Sequence, residues 1–347
     1  MFSKKNLFSL LLLIPLGLFS CSDKSNYNSK YETKDIYVMD TLCSIKAEKK
    51  SVSELTDVLN KFNIAFDCCS ENGEAYQLNK NKSMICSENL ADLIKKSKEL
   101  SQKYGDEVLI SSGALTLLWK DAKKNNILPE ETQIKTLINK TGDNLIEITS
   151  EDGQSKIDLK QNCEIDTGAF AKGYSLDFCK SVLDRNNTDY AVISMTSSIL
   201  LYGEKPDNTD FKVQIRDPNG KGTIGTVETP ACFLSTSGGY ERFFTIDGKD
   251  YCHIIDLNTG CPSESDLTSV TVFADSGILT DYMSTKIFIE GTQNIENHLN
   301  AADYKIAAFD KNGNRLGYGG GFYDKYLASH EEIITAALGY DFQIVEK

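Results

Sequence analysis

The sequence predicts an α+β fold, because strand-like and helix-like stretches are both abundant and do not strictly alternate. Short runs of alternating apolar and polar residues predict β-strands, and longer runs with apolar residues three or four apart predict amphipathic helices. The predicted strands follow one another in groups, as in meanders, rather than alternating one by one with helices as in a parallel α/β sheet. The 347 residues show no fixed-period repeat.

The predicted elements cover most of the chain between residues 35 and 289. Strands are predicted at residues 35–48, 145–148, 155–159, 190–194, 199–202, 211–215, 231–235, 243–246, 251–255 and 269–274. Helices are predicted at residues 52–66, 89–104, 129–140, 175–183 and 279–289. Residues 68–76 are predicted to be a loop. The Ser-Ser-Gly at residues 111–113 is predicted to be a turn, which either faces a ligand or is a plain connection.

The first 20 residues have the features of an export signal. Lys4 and Lys5 precede an apolar run at residues 7–19, which is shorter than the roughly 20 residues that a bilayer-spanning helix needs. Cys21 follows directly and resembles a bacterial lipoprotein processing site, with an ordinary secretory signal as the alternative. Residues 21–35 are polar and predict a flexible tether. We therefore expect a lipoprotein in the cell envelope, anchored to the membrane through lipidated Cys21 and facing the periplasm or the exterior.

Charge and cysteine content narrow the classes of partner and site. The net charge of −13 argues against nucleic acid as a partner, because phosphate contacts need clustered Lys and Arg. Apart from Cys21, nine cysteines are scattered without a CxxC pair, which predicts neither a disulfide framework nor a zinc site. The three histidines are His253, His298 and His330, so chemistry that needs an imidazole has few candidates.

Residues 165–174 predict a turn from strand to helix that could bind an anion. Asp166, Gly168, Lys172 and Gly173 all fall within this segment. Glycines let the backbone approach a ligand closely, and the start of a helix offers unpaired N–H groups to an anion. Lys172 adds a positive charge suited to phosphate. Many turns of this kind contain Gly and Lys without binding a ligand, so the pattern alone leaves both possibilities open.

Two further groups of residues suggest metal binding and proton transfer. Asp281, Ser284 and Thr285 are three and four residues apart on a predicted helix, and so share one face. Their oxygen atoms suit Mg²⁺, although such triplets are also common on solvated helix faces. His253 lies in a predicted strand that runs into a turn and is either a general base or a structural histidine.

Four motifs occur in a fixed order and together resemble those of one family. They are Asp-x-Gly-Ala-x-Ala-Lys-Gly-Tyr from Asp166, Thr-Ser-Gly-x-Tyr-Glu-Arg from Thr236, His-Ile-Ile-Asp-x-x-Thr-Gly-x-Pro from His253, and Thr-Asp-x-x-Ser-Thr from Thr280. Over residues 35–291 the chain resembles the FAD:protein FMN transferases, the ApbE family. The resemblance implies an α+β fold related to the T-fold, with mixed sheets and packed helices in a single large catalytic domain.

The resemblance also implies a reaction and a role for each matched residue. FMN would be moved from FAD to a Thr or Ser hydroxyl of an envelope protein, such as a subunit of a redox complex, with release of AMP. His253 would be the base that deprotonates the acceptor hydroxyl. The residues implied to contact FAD are Met39, Cys69, Ser112, Gly113, Ala114, Asp166, Lys172 and Ile255. Mg²⁺ at the pyrophosphate would be held by the main-chain carbonyl of Ala169 and the side chains of Asp281, Ser284 and Thr285.

The expected organisation is a signal at residues 1–20, a tether at 21–35, a transferase domain at 36–300 and a tail of uncertain origin at 301–347. Within the tail, residues 307–310 and 314–325 resemble the Gly-rich nucleotide loop of 5-formyltetrahydrofolate cyclo-ligases, but the rest of such an enzyme is absent, so ligase activity is not expected. Ser197 and Ser198 stand where the family usually has a Gly pair, and their side chains are expected to narrow the nucleotide pocket. FAD pyrophosphatase activity, or flavin binding without turnover, are the alternatives to FMN transfer.

Overall fold

The computed structural model describes residues 30–217, 223–240, 242–299 and 301–310, together with two short strands at residues 315–316 and 325–327. The predicted export signal, most of the predicted tether and most of the Gly-rich tail lie outside these described residues. The first described strand begins at Tyr31, inside the range predicted as tether, because its residues pair with the next strand along their whole length.

Within the described residues there are eight α-helices and eighteen strands. The helices are α1 Lys49–Ala65, α2 Glu74–Asn81, α3 Glu88–Tyr104, α4 Gly113–Asn125, α5 Glu131–Ile138, α6 Ala171–Arg185, α7 Gly277–Glu290 and α8 Ile295–Leu299. The strands are β1 Tyr31–Val38, β2 Thr41–Glu48, β3 Ser83–Cys86, β4 Ile146–Glu151, β5 Gln154–Leu159, β6 Tyr190–Met195, β7 Ser198–Gly203, β8 Phe211–Arg216, β9 Thr223–Thr229, β10 Cys232–Gly238, β11 Phe243–Ile246, β12 Lys249–Cys252, β13 Ile255–Asp256, β14 Cys261–Pro262, β15 Leu267–Ala274, β16 Tyr304–Asp310, β17 Arg315–Leu316 and β18 Lys325–Leu327.

An eight-stranded antiparallel sheet forms the centre of the molecule. Its strand order is β1-β2-β6-β7-β10-β15-β16-β17, and each neighbouring pair runs antiparallel. Smaller sheets are formed by β3-β5-β4, by β18-β9-β8 and by the pairs β11-β12 and β13-β14. Strand β16 is almost wholly buried, so it belongs to the core of the large sheet.

Three helices pack over the large sheet in the order of the strands beneath them. Helix α1 contacts β1 and β2, α6 contacts β6 and β7, and α7 contacts β10 and β15, while α6 lies between α1 and α7. Their apolar residues, such as Leu55, Leu176 and Ile278, are buried against the sheet or against one another. Burying one apolar face of each helix on the sheet is the usual way in which such layers are stabilised.

The α+β class and the single domain are confirmed, and three helices were missed: α2, α4 and the five-residue α8. Helix α4 begins at Gly113, where the sequence predicted a turn, and α2 falls partly in the predicted loop at residues 68–76. Helix α2 is short and mostly polar, and only Ala75 and Leu78 of its eight residues are buried, so its apolar periodicity is weak. The nine cysteines that the structure describes are all free thiols. In the described part of the chain, no helix is both long and apolar enough to span a membrane.

Candidate active site

Two hairpin turns and the end of a strand meet at one end of the large sheet. The β1–β2 turn and the β6–β7 turn are joined by a hydrogen bond of 2.8 Å between the hydroxyls of Thr41 and Thr196. Ser198 at the start of β7 pairs with Ser235 on β10, so the C-terminal half of β10 lies at the same end. The antiparallel register therefore brings three separate segments of the chain to one place.

Helix α6 points its N-terminus at this end of the sheet and places Lys172 there. Lys172 is the second residue of the helix, and its Nζ donates a 2.6 Å hydrogen bond to the Ser197 hydroxyl in the β6–β7 turn. The first amides of α6 have no partners within the helix and carry the positive end of its dipole. The sequence correctly placed Lys172 where a helix begins, and phosphate binding by this lysine stays a prediction.

Asp281 is the buried anionic group of the site. Its side chain is on α7, and the residue is only 5% exposed. Oδ1 accepts hydrogen bonds from the hydroxyls of Ser198 (2.7 Å) and Ser235 (2.6 Å), and Oδ2 accepts one of 2.7 Å from the Gly173 amide. Three donors stabilise the charged carboxylate in a place where an unpaired charge would be costly. Because a carboxylate oxygen can accept two hydrogen bonds, Oδ2 keeps one acceptor position.

Close contact between α6 and α7 makes the bond from Gly173 to Asp281 possible. A Cβ atom on Gly173 would lie 2.1 Å from the main-chain oxygen of Gly277, and a Cβ on Gly277 would lie 2.3 Å from that of Gly173. The two helices can approach this closely only because both positions are glycine. Asp177 fixes the other end of the contact, because its carboxylate accepts hydrogen bonds from the amides of Gly277 (2.6 Å) and Ile278 (2.9 Å) at the start of α7.

Ser284 and Thr285 lie on the same helix as Asp281, as their spacing predicted. Both hydroxyls donate 3.1 Å hydrogen bonds to the main-chain oxygen of Asp281, and both lie near the hydroxyl of Ser237 on β10, at 3.0 Å and 3.2 Å respectively. Ala169, whose carbonyl is the fourth implied ligand, is half-buried two residues before the start of α6. One carboxylate with neutral oxygen groups fits Mg²⁺, which usually takes one or two carboxylates, water and substrate phosphate oxygens.

His253 follows the last residue of β12 and is tied to the main chain of Arg242. The His253 amide donates to the Arg242 carbonyl at 3.1 Å, and ring Nδ1 lies 3.1 Å from the same oxygen. A carbonyl can only accept, so Nδ1 carries the proton and Nε2 of the neutral ring has a free lone pair. Crowding by protein atoms lowers the pKa of His253 to about 4, and the nearby charges of Arg242 and Lys172 also favour the neutral ring. The residue as a whole is nonetheless exposed to solvent.

The segment with Asp166 lies beside the start of α4. The Asp166 amide donates to the Ile110 carbonyl at 2.8 Å, and the Gly113 amide donates to the Glu164 carbonyl at 2.9 Å. A Cβ on Gly113 would lie 2.6 Å from the Ile165 carbonyl oxygen, so this approach needs glycine. Ser112, Gly113 and Ala114 therefore lie next to the segment that carries Asp166, and the charge of Asp166 acts on His253.

The three remaining residues implied to contact FAD are in separate elements. Met39 lies in the β1–β2 turn with a positive φ of 51°, and its amide donates to Asn63 Oδ1 at 2.6 Å. Cys69 is exposed, and Lys120 Nζ lies 3.5 Å from its sulfur. Ile255 packs against the small cluster around Trp119, whose indole N–H donates to the Gly260 carbonyl at 2.8 Å.

Sequence reasoning assigned no role to four residues that the structure places in the site. They are Lys120, Ser235, Ser237 and Arg242. Ser237 and Arg242 belong to the second motif, which could have pointed to them, whereas Lys120 lies in a stretch for which no helix was predicted. His298 is excluded as a base for this site, because it is buried and bonded to Tyr304 and Glu290 elsewhere in the molecule.

Comparison with known proteins decides the family. The model of the ApbE family matches residues 39–309. The chain belongs to the ApbE family. A protein named FAD:protein FMN transferase from Treponema pallidum is 25% identical over 81% of this chain and 84% of its own length. The ApbE relative of the same name from Escherichia coli is 26% identical over 60% of each chain.

Solved ApbE structures share the fold. The ApbE protein from Thermotoga maritima aligns with a TM-score of 0.74 and 22% identity, covering 83% of this chain and 96% of that protein. The flavin transferase ApbE from Vibrio cholerae aligns with a TM-score of 0.70 and 19% identity, covering 87% and 98%. The 5-formyltetrahydrofolate cyclo-ligase family also matches residues 304–347, a segment that lies mostly outside the described residues.

Proposed function

We propose that this ApbE-family protein transfers FMN from FAD to a Thr or Ser hydroxyl of an acceptor protein and releases AMP. Its relatives carry the name FAD:protein FMN transferase. The observation that carries the proposal is the arrangement at the start of α6. There Lys172 and the buried Asp281 carboxylate are hydrogen-bonded to two adjacent serines, Ser197 and Ser198, and the charge of Lys172 also acts on His253. A cation, an anion suited to a metal and a neutral imidazole are the groups that phosphoryl transfer needs.

The pyrophosphate of FAD would bind at the N-terminus of α6. Lys172 lies there, and the first amides of the helix add donors for phosphate oxygens. Asp281, Ser284, Thr285 and the Ala169 carbonyl would hold Mg²⁺ beside it. The ion would supply neutralisation of the phosphate charge, worth several kcal/mol of transition-state stabilisation.

His253 would act as the general base at its Nε2 atom. Because the Arg242 carbonyl holds the proton on Nδ1, Nε2 is the free acceptor for the proton of the Thr or Ser hydroxyl. The hydroxyl oxygen then forms a bond to the phosphorus of the FMN part. The bond from that phosphorus to the bridging oxygen breaks, and the bridging oxygen leaves with AMP.

FAD hydrolysis is the second candidate function, and the exposure of His253 favours it. Water can reach the exposed ring and would be deprotonated in the same way as an acceptor hydroxyl, giving free FMN and AMP. The two functions differ in what happens without an acceptor. AMP release that needs the acceptor supports transfer, whereas equal AMP release with and without it supports hydrolysis.

We also propose that the protein works in the cell envelope, anchored through a lipid on Cys21. The basic start, the short apolar run and the cysteine that follows it support this placement. The acceptor would then be an envelope protein such as a redox-complex subunit. Labelling cells with a radioactive fatty acid tests the anchor: label on the wild type and none on Cys21→Ala is expected, and unlabelled wild-type protein would contradict it.

A further inference from the structure

The β6–β7 turn has a conformation that is unusual for its residues. Met195 pairs with Ser198, so Thr196 and Ser197 are the two central residues of the turn. Thr196 has a φ of 64°, in the left-handed region. Turns with a positive φ at the first central position usually have glycine there, and a β-branched residue is an outlier. Such a conformation persists only where the surroundings impose it, and it is found most often at functional sites.

Neighbouring elements hold this turn from both sides. The Thr196 hydroxyl is bonded to the Thr41 hydroxyl of β2 at 2.8 Å. The Thr236 amide of β10 donates to the Ser197 carbonyl at 2.8 Å. The turn is thus fixed between two other strands of the large sheet, and the side chains of Ser197 and Ser198 have set positions.

The two serines of the turn bind the two charged groups of the site in opposite senses. The Ser197 hydroxyl accepts a hydrogen bond from Lys172 Nζ at 2.6 Å, and the Ser198 hydroxyl donates one to Asp281 Oδ1 at 2.7 Å. Both bonds are charge-assisted, which makes them stronger than bonds between neutral groups. Each serine is neutral, so it fixes the charged group without cancelling its charge.

Neutral partners leave the charges of Lys172 and Asp281 uncancelled. Among the described residues, Lys172 and Asp281 form no ion pair with one another. A paired lysine would have less positive charge to offer a phosphate, and a paired aspartate less negative charge to offer a cation. Holding each on its own hydroxyl keeps both available.

We propose that the β6–β7 turn is a positioning element of the FAD site, in which Ser197 positions Lys172 for the phosphates and Ser198 positions Asp281 for the cation. The inference rests on the proposed function, because it assigns the bound phosphates to FAD. The two serines then have separable roles. Ser197 acts on FAD affinity, and Ser198 acts on the dependence on Mg²⁺.

The first test measures equilibrium binding of FAD to the full protein. Flavin fluorescence is the signal, and EDTA is present to suppress turnover. Ser197→Ala is expected to weaken FAD binding about tenfold, as loss of one hydrogen bond to a charged group does. Ser197→Thr, which keeps a hydroxyl, is expected to restore most of the affinity. Ser150→Ala, at an exposed position of strand β4, is the matched control and is expected to bind FAD as the wild type does.

A double-mutant cycle separates positioning from a general structural effect. In a Lys172→Met background, Ser197→Ala is expected to have no further effect on FAD binding, because the group that it positions is gone. Equal weakening by Ser197→Ala with and without Lys172 would overturn the proposal. So would unchanged binding in the single variant Ser197→Ala.

The role of Ser198 is tested by titrating Mg²⁺ against AMP release at saturating FAD. Ser198→Ala is expected to raise the Mg²⁺ concentration for half-maximal rate several-fold, while FAD affinity in EDTA stays as in the wild type. The effect is limited because Ser235 still binds Asp281 Oδ1. An unchanged Mg²⁺ requirement, or weakened FAD binding in EDTA, would overturn the assignment of Ser198.

These outcomes are distinguishable from failure of the proposed function. A wild-type protein that binds FAD but labels no acceptor contradicts FMN transfer, while the binding cycle still decides the role of Ser197. A wild-type protein without measurable FAD affinity would contradict both.

Discussion

Asp281 is the residue on which the Mg²⁺ assignment depends. It is the charged member of the implied ligand set, and its companions Ser284, Thr285 and the Ala169 carbonyl are neutral. Its carboxylate is buried and already oriented by Ser198, Ser235 and the Gly173 amide. A cation bound there would therefore meet a fixed negative charge.

We predict that Asp281→Ala abolishes AMP release more completely than His253→Ala. Loss of a general base typically costs about 10²–10⁴-fold, and water or buffer can partly replace it. Without the carboxylate, the phosphates of FAD would lack the charge neutralisation by the metal. To compare the two variants, AMP release from FAD is measured by chromatography over a range of Mg²⁺ concentrations. Excess Mg²⁺ is expected to rescue Thr285→Ala in part, but not Asp281→Ala.

The free energy of unfolding must be measured together with AMP release, because Asp281 also joins α7 to α6, β7 and β10 through hydrogen bonds. Asp281→Ala removes the acceptor of two buried donors, the Gly173 amide and the Ser198 hydroxyl, and each costs about 1–3 kcal/mol. The Ser235 hydroxyl can still bond to Thr280. Asp281→Asn keeps the size of the side chain and is the control for folding. Near-normal AMP release by a folded Asp281 variant without added metal would contradict the Mg²⁺ assignment.

The pKa of His253 predicts how the rate depends on pH. Because the pKa is lowered to about 4, the ring is neutral and able to accept a proton throughout the neutral range. The value of kcat/KM for FAD is therefore expected to stay level from neutral pH down to about pH 5 and to fall below that, since kcat/KM reports the pKa of the free enzyme. A fall centred near pH 6.5, the value of an unperturbed histidine, would contradict this environment.

The same shift predicts the contribution of His253 to stability. Between pH 4 and about 6.5 the unfolded chain binds a proton at this position that the folded protein does not, so the contribution rises with pH across that window and is constant above it. In His253→Asn this contribution is absent. Comparing the free energy of unfolding of both proteins between pH 4 and pH 7 measures it, and an identical pH dependence would contradict the shift.

Single residues also show where sequence reasoning ends. The spacing of Asp281, Ser284 and Thr285 correctly placed them on one helix, because contacts within a helix follow from sequence separation. The bond between Ser198 and Asp281 joins residues of different elements and depends on the register of β7 against β10. Ser197 and Ser198 were expected to narrow the nucleotide pocket, and nothing in the sequence indicated that they bind Lys172 and Asp281.

At the scale of elements, the site depends on how closely α6 and α7 approach each other. Gly173 and Gly277 lie against one another, and the approach allows the Gly173 amide to reach Asp281. The sequence predicted both helices but not their contact, because a glycine in a helix looks the same whether or not another backbone lies beside it. Likewise α4 was missed because its first residue, Gly113, is the residue that a turn would also have.

We predict that Gly173→Ala destabilises the protein and weakens activity together. The added Cβ would lie 2.1 Å from the Gly277 oxygen, so the helices must move apart, and overpacking of this kind costs about 1–3 kcal/mol. Moving α6 would also draw the Gly173 amide away from Asp281. Urea unfolding and AMP release measure the two effects.

The control for Gly173→Ala is Gly153→Asn in the β4–β5 hairpin. Gly153 has a φ of 78° with no atom within 4 Å of an added Cβ, and asparagine tolerates that φ. We expect its stability and activity to stay close to the wild type. A Gly173→Ala protein as stable as this control would show that the helices do not approach as closely as described.

At the scale of the whole molecule, the chain beyond residue 300 contributes to the core. Strand β16 pairs with β15 along seven residues, and Ile306, Ala307 and Ala308 are completely buried. The predicted division between a catalytic domain and a tail at residue 300 stays a prediction, but this strand is part of the large sheet. The family match also extends to residue 309.

We predict that deleting residues 304–347 prevents the protein from folding, whereas deleting residues 328–347 leaves flavin transfer within about twofold of the wild type. The first deletion exposes the buried face of β15 and leaves its edge unpaired, which favours aggregation. The second keeps every described strand, including β18. The yield of soluble protein and the extent of acceptor labelling are measured for both deletions. A soluble, active protein lacking β16 would contradict its place in the core.

The central claim is the transfer of FMN from FAD to a hydroxyl of an acceptor protein, and intact-protein mass spectrometry tests it most directly. The protein, FAD and Mg²⁺ are incubated with a candidate envelope acceptor, and the acceptor and the nucleotides are both analysed. We expect the acceptor to gain the mass of FMN less one water, localised to a Thr or Ser, and one AMP to appear for each FMN attached. An unchanged acceptor with equal amounts of free FMN and AMP would contradict transfer and leave hydrolysis as the activity.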